Sequence, residues 1–109
     1  MDLVNKLFKL IDELNKSIDL LAKSGEEYAS AYTNYRIALA QKLVVLKDEG
    51  YAITLASDIA RGDRNIAHLK FLEISKEAIY KANLERINAL KLHIKIISNQ
   101  IDKEWGNAN

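Results

Sequence analysis

Apolar residues recur along this chain in alternating steps of three and four. One set runs Val4, Leu7, Ile11, Leu14, Ile18, Leu21, Gly25, Tyr28, Tyr32, Tyr35 and Leu39. A second set ends the chain with Ile87, Leu90, Ile94, Ile97, Ile101 and Trp105. Such steps gather side chains on one side of an α-helix, so the pattern predicts long helices packed through one seam. Traced backwards, the second stripe meets Asn83, Tyr80, Lys76, Leu72 and Leu69, placing an Asn and a Lys where a core favours Leu.

The helix breakers are few and partition the chain. There is no proline, and glycine occurs only at Gly25, Gly50, Gly62 and Gly106. Asp2 can accept hydrogen bonds from the first free amides and start a helix. Ser24 and Glu27 have the spacing of a capping box. The heptad phase nevertheless passes Gly25 without a slip, which predicts one continuous helix to Lys47-Asp48-Glu49-Gly50. Gly50 suits the left-handed residue that closes it. Thr54 is the expected cap of a short connector helix through Ala60, with Gly62 closing it and Asp63 capping the last helix. That helix meets no breaker before Gly106, about 42 residues or roughly 63 Å further on. The fold class expected is all-α: one helical domain over residues 1–109, a long antiparallel hairpin with a short helix in its connector. A bend at Gly25 would instead make a three-helix bundle.

The last helix also carries Phe71, Ile74, Leu84, Leu92 and Ile96 off its seam. So broad an apolar surface predicts further partners, and a homo-oligomer, dimeric or higher, is expected.

Composition narrows the function classes. The 109 residues include 16 Lys and Arg against 15 Asp and Glu, so no general field would hold nucleic acid or an anionic membrane. Cysteine is absent, which removes disulfides and thiolate metal sites. The start of the chain lacks the order of a signal peptide, and no apolar run reaches the ~20 residues that span a bilayer. A cytoplasmic protein is expected. His68 and His93 lie about seven turns apart on one helix, no carboxylate cluster accompanies them, and no Ser or Thr has a His base nearby. No enzyme activity, cofactor or metal is expected.

The tyrosine-rich stripe and the Lys/Asn interruption are the sharpest clue. A hairpin folded about the centre of its connector pairs residues whose numbers sum to roughly 113. Lys76, Tyr80, Asn83 and Arg86 then lie across from Tyr28, Tyr32, Tyr35 and Arg36. Tyrosine rings can stack a base or sugar, Arg36, Arg86 and Lys76 can neutralise phosphate, and Asn83 can select a polar edge. The same residues also suit a polar device that fixes helix register. Arg61 and Arg64, beside the turn, form a second candidate anion clamp. Thr54 to Leu72 has a turn too short for a DNA-reading helix-turn-helix. Lys70, Lys81, Lys91 and Lys95 share a sector with Glu73 and Glu77, which predicts a solvated face.

The stretch from Tyr32 to Trp105 resembles small uncharacterised helical proteins of phages and prophages of low-GC Gram-positive bacteria. The residues that carry the likeness are Tyr35-Arg36-Ile37-Ala38-Leu39-Ala40, Leu55, Ile59-Ala60-Arg61-Gly62-Asp63, Tyr80-Lys81-Ala82, Gln100-Ile101 and Glu104-Trp105. The resemblance implies a helical fold and a phage context inside a bacterial host cell. In that context the expected function is a non-catalytic binding protein that sequesters a small phosphate-bearing nucleotide, as an anti-defence sponge. The alternative is an accessory interaction module that acts in replication or recombination, or blocks a host protein.

Overall fold

A computed structural model describes residues 2–107, and every regular element in it is α-helical. Helix α1 spans Asp2–Asp48, α2 spans Ile53–Gly62 and α3 spans Arg64–Asn107. Together they form an antiparallel helical hairpin with a short helix in the connector, as the periodicity predicts. Helix α1 runs unbroken through Gly25, so the three-helix alternative is not adopted. No helix among the described residues is long and apolar enough to cross a membrane.

The turn chemistry follows the sequence closely, with one exception. Gly50 has φ +96°, the left-handed conformation that only glycine adopts cheaply, and its amide closes α1 onto the Lys47 carbonyl at 3.0 Å. Asp63 caps α3 as expected: its Oδ2 accepts from the amides of Asn65 at 3.1 Å and Ile66 at 3.2 Å. Thr54 does not cap α2. That helix starts two residues earlier, at Ile53 behind Ala52, with no side-chain cap bond.

The chain packs as two compact units. The first comprises residues 1–23 and 80–109. Its core is Leu10, Leu90 and Ile97, with Leu3, Leu7, Leu14, Ile94 and Ile101 packed around it. The second, residues 24–79, holds α2 and a core of Tyr35, Leu39, Leu46, Ala56, Ala60 and Ile66. Helix α2 is too short to be stable alone. It is held by Ala56 and Ala60, whose small side chains are fully buried between the longer helices.

The seam departs from the predicted one in rotation. Leu7, Leu14, Leu21, Tyr28, Tyr35 and Leu39 face inward as expected, but their companions on α1 are Leu3, Leu10, Ser17, Ser24 and Ala31. The predicted companions Ile11, Ile18 and Tyr32 are exposed. On α3 the inward positions include Ile66, Leu69, Glu73, Lys76, Ile87, Leu90 and Ile97, so buried Glu73 joins the half-buried Leu72 of the predicted stripe. Trp105, at the predicted end of the seam, is exposed.

The axial register also differs. In the second unit Tyr28 meets Glu77, Lys76 meets Glu27 and Lys42 meets Asp63, so facing numbers sum to about 103–105 rather than 113. The cause is the connector. Helix α2 lies against the last turns of α1, so α1 overhangs the start of α3 instead of meeting it end to end.

Ser17 is 2% exposed, and its hydroxyl has no hydrogen-bond partner among the described residues. A buried unmade hydrogen bond costs about 1–3 kcal/mol. Ser17→Ala is therefore expected to stabilise the protein by about 1 kcal/mol. In urea unfolding, the midpoint should rise at unchanged slope; a fall would mean that the hydroxyl has a partner.

Candidate functional site

Two residues of the expected polar belt, Tyr28 and Lys76, meet carboxylates across the seam. Tyr28 donates its phenolic hydrogen to Glu77 Oε2 at 2.5 Å, and Lys76 Nζ donates to Glu27 Oε2 at 3.1 Å. Lys70 Nζ donates to Glu73 Oε2 at 2.8 Å and sits 4.8 Å from the centre of the Tyr35 ring. Hydrogen bonding to Glu77 pushes the Tyr28 phenol up to about 12, so it stays protonated throughout the neutral range. The Lys70 ammonium is likewise held above its ordinary value, first by its hydrogen bond to Glu73.

Sequence reasoning missed all three acids. Glu73 is buried and Glu77 half-buried, although their sector suggested a solvated face. The signal was present: Ile66, Leu69, Glu73, Lys76 and Tyr80 follow the same steps of three and four.

The other belt residues are dispersed. Tyr32 and Arg36 are exposed on α1. Tyr80, Asn83 and Arg86 belong to the other unit, with Tyr80 and Asn83 half-buried and Arg86 exposed. The register of the second unit sets residues 69–77, not 76–86, across from Tyr28 to Arg36. Of the candidate clamp, Arg61 lines a hollow of about 230 Å³ with Tyr35, Ile66, Ala67 and Lys70, and Arg64 does not line it. No group of three or more His, Cys, Asp or Glu is placed to hold a metal among the described residues.

A second organised feature lies outside the seam, on α1 of the first unit. Val4, Phe8, Ile11, Asn15, Ile18 and Ala22 recur in steps of four and three, forming a second heptad stripe beside the inward one. Phe8 is 62% exposed and Ile18 47%, although Ser17, one residue away, is buried. Two charged rows run parallel to this stripe at seven-residue spacing: Asp12 and Asp19 next to it, then Lys9, Lys16 and Lys23. Asp12 and Lys16 pair within the helix at 2.9 Å and stay solvent-exposed.

Comparison with protein-family models, with curated proteins and with solved structures finds no match for this chain.

Proposed function

We propose that this protein is a non-catalytic helical interaction module that works as a homo-oligomer and acts by covering apolar helical faces of its partners. The observation that carries this reading is the inversion on α1. Turning that helix by one residue, about 100°, would exchange buried serine for isoleucine and enlarge the hairpin's own core. The hairpin instead spends a buried position on Ser17 and leaves Ile11 and Ile18 outside. That arrangement suits a helix with two apolar faces, one for the hairpin and one for another chain.

Exposed side chains support the same reading: Phe8, Ile11 and Ile18 stand in solvent along one line of α1.

The nucleotide-sponge reading has less to draw on. The Glu27, Glu73 and Glu77 carboxylates already engage Lys76, Lys70 and Tyr28, and they would repel a phosphate brought into the belt. An accessory role, played by binding a protein and not a small anion, is the reading the belt and the outer stripe favour together.

Light scattering on the eluting protein tests the proposal directly. The expected mass in solution is a whole multiple, two or more, of the single chain. A single-chain mass across the micromolar range would remove self-assembly from the function.

A further inference from the structure

We infer that the outer stripe of α1 is a twofold self-pairing site, in which the α1 helices of two copies lie antiparallel, centred at Asn15. This rests on the interaction-module reading and names its partner as a second copy of the chain.

The inference comes from register. A twofold contact must be self-complementary: if residue i meets residue j of the partner, j meets i. Antiparallel α1 helices centred near position 15 pair residues whose numbers sum to about 28–30. At that sum Ile11 of one copy lies across from Ile18 of the other, twice. In the same register Lys9 comes level with Asp19, and Lys16 with Asp12. Asn15, the one polar residue within the stripe between Val4 and Ala22, falls beside the axis, level with its own counterpart.

Three independent sets, apolar, charged and amide, therefore agree on one register. Elsewhere in the stripe the exposed Phe8 adds apolar area at either end of the contact. A lone Asn at a core position of paired helices typically meets its own copy and fixes register. Flanking Lys and Asp rows set orientation and partner choice in the same way.

Cysteine is absent from the chain, so single-cysteine variants report the geometry cleanly. Under mild oxidation, Asn15→Cys should give mostly a disulfide-linked dimer. Phe8→Cys should give little, since its two copies would stand about 20 Å apart in the antiparallel arrangement. Equal linkage at both positions would indicate a parallel pairing and overturn the inference.

Charge exchange supplies a second measurement that does not need a disulfide. Lys9→Asp/Lys16→Asp and Asp12→Lys/Asp19→Lys should each lose self-pairing and recover it when mixed. These four residues are exposed, so the fold should persist by circular dichroism. Self-pairing by either variant alone, at wild-type strength, would overturn the site. Mass separates the two levels of failure. An assembled wild type without Asn15 linkage removes this contact alone, whereas a single-chain wild type removes the homo-oligomer as well.

Discussion

Leu39→Ala is expected to cost about 2–5 kcal/mol, the range for removing a buried leucine from a packed core. Leu39 is 5% exposed and lies in the core that joins α1, α2 and Ile66 of α3. Its loss removes apolar area and leaves a cavity that rigid helices close only in part. For a chain of this length the melting temperature should fall by about 10 °C or more. The damage should also be local. Helix α2 depends on tertiary contact through Ala56 and Ala60, so its amides should exchange faster than those in the Leu10, Leu90 and Ile97 core. Ile37→Ala, at a residue 52% exposed on the same helix, is the control and should change stability by about 0.5 kcal/mol or less. Equal losses for the two variants would mean that Ile37 is covered in solution. Uniform faster exchange over both cores would mean that the two units open together.

The second large effect concerns Lys70 and Glu73, where two substitutions in one pair should act with opposite signs. Glu73 is 6% exposed and Lys70 is its ion partner, at 2.8 Å. Lys70→Ala would leave a buried carboxylate without its charge partner. For fully buried pairs this costs about 3–5 kcal/mol. Lys70 is 46% exposed at its side chain, so water shares the role and about 1–3 kcal/mol is expected. Glu73→Leu removes the charge and places an aliphatic residue at an inward heptad position, where replacement is often neutral or stabilising by up to about 4 kcal/mol. Thermal unfolding of the two variants reads the result. Equal destabilisation by both would mean that the carboxylate does more than balance Lys70, for example by fixing the helix register. The raised Lys70 pKa sets the pH window: the pair's contribution is complete below the ordinary lysine value and fades only as pH climbs through the folded one.

The polar middle of the seam bears directly on that register. Apolar contacts tolerate sliding, because one leucine replaces another with little loss. Tyr28 with Glu77 and Lys76 with Glu27 match only at one offset. A shift by one turn would leave charged and hydroxyl groups half-buried without these partners, which is unfavourable in a low-dielectric seam. Of the belt residues singled out in the sequence, Tyr28 and Lys76 thus act through Glu77 and Glu27 on the facing helix.

The helical class, the continuity of α1 through Gly25, the turn at Gly50 and the cap at Asp63 were all legible in the sequence. Each depends on residues close together along the chain, where glycine conformations, side-chain caps and the 3.6-residue period act. Rotation and register were not local. Leu10 with Ile11, and Ser17 with Ile18, offer two apolar heptads one residue apart, and hydrophobicity alone selects the one with isoleucine. The tertiary structure takes the other, burying Leu10 and Ser17 and leaving Ile11 and Ile18 exposed. It repeats that choice in α2, burying Ala56 and Ala60 while Ile53 and Leu55 stay exposed. In α2 the reason lies at the contact: its inner face packs against α1 and Ile66 of α3 and holds small residues, and volume across a gap is a property of two surfaces together. One chain segment cannot specify it. The offset of the hairpin likewise depended on where α2 came to lie, which only packing against Leu39 and Leu46 decided.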